Sequence, residues 1–117
     1  MTIGMWIRRK VQKGTKTGQK IGFPTLNFNV GNFSKSYKPG VYACNIHIAG
    51  KLYSGALYFG PRLQNRVNVL EIFVQNFSRN IYGQFVQFHV SKKIRDPKRF
   101  TDTDTLKKQI RKDLLSL

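Results

Sequence analysis

Most of this chain is written in runs where apolar or β-branched residues alternate with polar ones, and each run stops at turn chemistry. Side chains alternate faces along a strand, so such runs hide their apolar face only by pairing into a sheet. Val41-Tyr42-Ala43-Cys44-Asn45-Ile46-His47-Ile48 meets Ala49-Gly50 and then the β-prone run from Lys51 to Phe59. Two such runs across a short Gly-containing connection predict a hairpin. A further strand is expected over 67–74, where both faces are apolar, and another over 84–90, which alternates strictly. Asn76-Phe77-Ser78-Arg79-Asn80 supplies a turn between them, and a shorter strand is expected over 7–11.

The period then changes. Leu106, Ile110 and Leu114 recur every four residues, which marks one stripe of an amphipathic helix, and Lys107, Lys108, Arg111 and Lys112 lie off it. Thr101, Asp102 or Thr103 can cap its start, and Asp104 suits the positive end of the helix dipole. Short strands followed by one closing helix predict a mainly β fold, an antiparallel barrel with a C-terminal α-helix packed on it. The 117 residues fit one domain over 1–117. The intervals 12–40 and 60–66 are rich in Gly, Pro, Asn and Lys and are expected to be functional loops on that scaffold.

Charge narrows the chemistry. With 21 Lys and Arg against 5 Asp and Glu, the net charge is +16. Such a field attracts nucleic acid, nucleotides or an anionic membrane surface without choosing among them. The shortage of acids says more, because it shortens the roll of general bases. Asp96 precedes Pro97 in an expected loop; Asp102, Asp104 and Asp113 belong to the terminal helical segment. Glu71, the only glutamate, stands between Leu70 and Ile72 with Val69 and Phe73 as alternation partners. A carboxylate in such surroundings is disfavoured as an anion unless a cation or donor is near, which suits a general base; an edge-strand glutamate in a surface ion pair is the other reading.

The lone Cys44 excludes an intramolecular disulfide and a cysteine-rich zinc site, and its place in an alternating run makes it a buried structural thiol. His47 and His89 sit in separate alternating runs, without neighbours at metal-ligand spacing, and read as strand residues. No apolar run approaches the roughly 20 residues that span a bilayer. The first residues lack the apolar centre of a secretory signal. A cytoplasmic protein with no membrane partner is therefore expected.

Three loop segments carry candidate chemistry. Gly14-Thr15-Lys16-Thr17-Gly18-Gln19-Lys20-Ile21-Gly22 can bring backbone amides to phosphates, although it lacks the Gly-Lys-Ser/Thr spacing of a Walker loop; a plain glycine loop is the alternative. In Phe23-Pro24-Thr25-Leu26-Asn27-Phe28, Pro24 stiffens the bend, and Thr25 and Asn27 project to one face of an extended segment. Their oxygens can share a hard cation such as Mg²⁺, or bond to nearby backbone in a turn. Lys92-Lys93-Ile94-Arg95-Asp96-Pro97-Lys98-Arg99-Phe100 forms either a lid over an anionic ligand or a solvated connection, the latter favoured by its composition.

These residues resemble the riboflavin kinase family. Gly22-Phe23-Pro24-Thr25-Leu26-Asn27, Pro39-Gly40-Val41-Tyr42-Ala43, the strand glutamate Glu71, Tyr82-Gly83, Ile94-Arg95 with Phe100, and Leu106, Gln109-Ile110 and Asp113 follow its pattern in order, from about Lys10 onward. The resemblance implies a six-stranded antiparallel Greek-key β-barrel closed by a helix. It implies transfer of the γ-phosphoryl group of ATP to riboflavin, with Mg²⁺ or another divalent cation as cofactor. It places the base on Glu71, the metal on Thr25 and Asn27, the nucleotide on Gly14, Gly18, Lys20, Gly22, Pro24 and Thr25, and the flavin on Arg95 and Phe100. Riboflavin and ATP would be its partners, and the chain is expected to be a monomer.

The sequence departs from that pattern at three places. Gly60-Pro61-Arg62-Leu63-Gln64 stands where many relatives have a second Pro-Thr, Gln19 where a basic residue is common, and Phe73 where a histidine is common. Two other readings accompany the kinase. One is a nucleic-acid-binding barrel, which the charge, nine Phe and five Tyr would equip, although strand positions explain most of the aromatics. The other is an inactive relative that binds flavin or nucleotide without turnover.

Overall fold

The structure, a computed structural model, describes residues 5–14, 22–62 and 66–117. Strands β1 (Ile7–Lys10), β2 (Leu26–Phe28), β3 (Gly40–Ile48), β4 (Lys51–Pro61), β5 (Asn68–Val74) and β6 (Phe85–Arg95) form one sheet in the order β1-β6-β3-β4-β5-β2, antiparallel at every pairing. Strands β3, β4 and β5 run consecutively and β6 returns beside β3, which is the Greek-key order. A bridge between Gln12 and Asn27 joins the two sheet edges, so the sheet curls nearly closed into a barrel. Helix α1 (Thr103–Leu114) packs against β4. No helix among the described residues is long and apolar enough to cross a membrane.

Alternation sets which side chains fill the barrel. On β5, Leu70, Ile72 and Val74 are buried, while Val69, Glu71 and Phe73 between them are half-buried on the outer face. The same rule sends Leu57 and Phe59 of β4, Ile46 and Ile48 of β3, and Val86 and Phe88 of β6 into one apolar interior. The β3–β4 hairpin pairs Ile48 with Lys51 across Ala49-Gly50, both at positive φ (+49° and +80°). Such a turn matches the twist of the flanking strands; Gly50 adopts it freely and Ala49 does so under strain.

The structure differs from the sequence expectations in four places. Strand β2 lies inside 12–40, the interval expected to be loop. Three residues are too few to display a period, and pairing with β5 decides their conformation. Strand β6 continues past Val90 to Arg95, so Lys92 to Arg95 are strand rather than connection, held against β3 across two register shifts. Strand β4 runs to Pro61, which takes the start of 60–66 out of the loop. On α1 the Leu106, Ile110 and Leu114 stripe is only half-buried, and the buried residue is Asp113.

Candidate active site

The short β2 strand builds the site. Leu26 and Phe28 turn into the core, so Asn27 between them faces outward, directly opposite Glu71 on β5. Glu71 in turn lies opposite Tyr58 on β4, giving a row of Asn27, Glu71 and Tyr58 across three strands. Thr25, just before β2, donates its hydroxyl to Glu71 Oε2 at 3.4 Å, and Asn27 Nδ2 donates to the Thr25 carbonyl at 3.3 Å. Gly22 holds a left-handed φ of +89° where the chain enters this segment. Phe23 is fixed by an edge contact with Phe73, ring centroids 5.6 Å apart. The aromatic ring at 73 thus anchors the approach to Pro24 and Thr25.

Burial pushes the Glu71 carboxyl above the usual carboxylate range, and the Arg62 charge and the Thr25 hydrogen bond pull it back. Tyr58 is raised by burial and then by the neighbouring Glu71 charge, and its hydroxyl donates to the Pro61 carbonyl at 2.8 Å. Beside Asn27 opens a cavity of about 340 Å³ lined by Gln12, Lys13, Gly14, Arg62 and Asn68 among others. A Cβ on Gly14 would collide with the Asn27 amide, so a residue without a side chain is needed there. On the other side of Thr25 and Asn27 lies a groove lined by Pro24, Phe77, Arg79 and Tyr82. Among the described residues no three His, Cys, Asp or Glu side chains converge as a metal cluster.

Arg95 lies within electrostatic reach of this row, since its charge partly offsets the upward shift of Tyr58, and its guanidinium is 5.9 Å from the Phe100 ring centroid. Arg95 binds Asp113 through Nε (2.9 and 3.1 Å) and Nη2 (2.9 Å), and Gln109 donates to the same carboxylate at 2.9 Å. Its guanidinium therefore fastens α1 to the end of β6. Gly18 and Lys20 lie outside the described residues.

A family model described as riboflavin kinase matches residues 3–116. The chain belongs to the riboflavin kinase family. It is 37% identical over 108 residues to the bifunctional riboflavin kinase/FMN adenylyltransferase of Haemophilus influenzae, covering 90% of this chain and 35% of that protein. It is 34% identical over 107 residues to the RNA-binding riboflavin kinase RibR of Bacillus subtilis, covering 89% and 46%. A solved structure titled as a macrolide-efflux protein from Streptococcus pneumoniae superposes with a TM-score of 0.81 at 26% identity, covering 94% of this chain and 37% of that one. The chain thus spans between a third and a half of the length of these curated relatives.

Within the riboflavin kinase barrel, Thr25, Asn27 and Glu71 come together and Gly14 touches Asn27, while Arg95, bound to the helix and near Phe100, reaches the row only through its charge on Tyr58. Sequence reasoning missed Tyr58 and Arg62. The Ile48–Lys51 hairpin register pairs Tyr58 with Val41, and it is the separate β4–β5 register that brings it opposite Glu71. Arg62 follows Pro61 in a segment whose departure from the family pattern was its only signal.

Proposed function

We propose that this chain transfers the γ-phosphoryl group of ATP to the ribityl 5′-hydroxyl of riboflavin, giving FMN and ADP. The observation that carries the reading is Glu71, a half-buried carboxylate held opposite Asn27 and bonded to Thr25 within a family whose members are named for this reaction. Phosphoryl transfer needs alignment and charge neutralisation more than covalent chemistry. Glu71 accepts the proton of the attacking hydroxyl as its oxygen bonds to the γ-phosphorus and the bond to the ADP oxygen breaks. Arg62 keeps the base ionised between turnovers, and Lys13, Arg62 and the open backbone at Gly14 make the adjoining cavity suitable for phosphates.

Thr25 and Asn27 offer a hydroxyl and an amide oxygen close together, a hard donor pair that fits Mg²⁺ arriving with its nucleotide, whose phosphates and waters fill the other positions. Bound there, the ion would offset phosphate charge. Arg95 supports the flavin end indirectly, by fixing α1, and Phe100 beside it offers a ring for contact with the substrate. Every group invoked comes from one chain, so a monomer suffices.

Purified protein given ATP, Mg²⁺ and riboflavin should form FMN, read by chromatography. Glu71→Gln should lose about 10²–10⁴ in kcat, the usual worth of a general base. Its nucleotide affinity by calorimetry should stay close to that of the wild type. Full turnover in Glu71→Gln would rule out the base assignment, and a wild type that forms no FMN would remove the kinase reading.

A further inference from the structure

The outer face where β1 meets the start of β6 and the end of β3 carries none of the side chains used above, yet it is not a bland solvated surface. Trp6, which is 44% exposed, leans on two imidazoles, with ring centroids 4.9 Å from His47 and 5.6 Å from His89. Along β6 from His89, Phe85 is 50% exposed and has the Arg8 guanidinium stacked over it at 3.9 Å and Lys10 Nζ at 5.6 Å. Register places these groups together: Lys10 pairs with Phe85, and Arg8 and His47 both pair with Gln87 from opposite sides. The chain's five carboxylates all lie elsewhere, on β5, just after β6, or at and within α1. The face is therefore purely cationic as well as aromatic.

We propose that this face binds single-stranded nucleic acid, with bases stacking on Trp6 and on the Arg8–Phe85 pair and phosphates meeting Arg8 and Lys10. Exposed rings and guanidinium planes beside lysines are the equipment of sequence-tolerant single-strand binding, because every base has a π face and every linkage a charge. Phe85 and His89 are four residues apart on one strand, roughly 13 Å, so the surface engages more than one base. An acidic peptide would meet the charges but leave the open rings unused. Nothing in this placement depends on the kinase reading, and loss of one would not remove the other.

Trp6 is the only tryptophan, so its emission reports this face directly. Titrating the full chain with fluorescein-labelled oligouridylate of about eight nucleotides should quench Trp6 saturably and raise the label's anisotropy in step. The logarithm of affinity should fall linearly with the logarithm of salt, by roughly 0.7 per phosphate contacted, and Arg8→Gln should flatten that slope by about one contact. Phe85→Ala and Trp6→Ala, read by anisotropy, should each weaken binding roughly tenfold, with an unchanged thermal midpoint and unchanged FMN formation. Three results would overturn the proposal. Binding that ignores both ring substitutions would be diffuse attraction to a basic protein. Duplex DNA competing as well as the single strand would remove the stacking. Quenching by vesicles of anionic phospholipid, without binding of oligouridylate at about 0.15 M salt, would give the face to a membrane.

Discussion

Glu71 is placed by a compromise among three neighbours. Burial raises its proton affinity, and Arg62 and Thr25 lower it. Because the base must be ionised to accept the hydroxyl proton, turnover should rise with pH along an acid limb that lies above the ordinary glutamate range. Arg62→Ala removes a cation and should carry that limb to still higher pH, read from kcat/KM profiles of the two proteins. A limb that stays in place would mean that Arg62 does not act on the base. The same shift has a stability sign. A carboxyl raised in the folded state is protonated there at pH values where the unfolded chain has already released its proton. Its contribution is therefore fully present below the unfolded value and fades as pH rises towards the folded one. Glu71→Gln, which cannot ionise, should abolish that slope in thermal midpoints measured across the window.

Helix α1 is fastened at two points of unequal strength. Asp102 caps it, accepting the Thr105 amide at 2.8 Å in full solvent, whereas Asp113 is 4% exposed and is held by Arg95 and Gln109. Removing a cap costs about 1 kcal/mol. Removing Asp113 strands the Arg95 guanidinium, which is only 19% exposed, a loss of roughly 2–4 kcal/mol once its partial exposure is allowed for. Chemical denaturation should therefore rank Asp113→Ala well below Asp102→Ala, and equal losses would show that the buried pair does not hold the helix. Sequence periodicity carried β3, β4, β5 and the start of β6, since each is long enough for alternation to show and its interior residues do fill the barrel. It failed at β2 and at the end of β6. Leu26–Phe28 is extended because β5 pairs with it, and Lys92 and Lys93 are strand because β3 bends to meet them. In the site, chain order alone put Thr25 and Asn27 on one face, but only the barrel brings Glu71 across to them. Tyr58 and Arg62 become neighbours of Glu71 through hairpin register, which local composition does not encode.

Across the whole molecule, Cys44 offers a measure of how firmly the barrel is closed. It is the only thiol, lies in the middle of β3, is 3% exposed, and burial pushes its pKa up to about 12. The thiolate is the reactive form, so at pH 8 the native protein presents about one reactive group in 10⁴, and a reagent must also reach it through paired strands. Gly55 opposite comes so close that a Cβ there would touch the Cys44 sulfur, so no local gap admits a reagent. Alkylation must then await opening of the sheet, because β3 is bound on both sides, by β4 and β6, and neither edge can lift without breaking the interior that Phe59 and Phe88 share. Labelling followed by mass spectrometry should accordingly be slow and should keep step with global unfolding as denaturant is added. A fast reaction at low denaturant would mean that β3 opens alone. The same readout reaches the proposed substrates. A ligand that binds only the folded barrel at a hundred times its Kd adds about 2.7 kcal/mol, so riboflavin with Mg-ADP at that level should slow Cys44 labelling roughly a hundredfold. Oligouridylate, bound on the outer face of β1, β6 and β3, should slow it independently. If the two effects multiply, the riboflavin site and the basic face are separate; if either ligand cancels the other, they are one site.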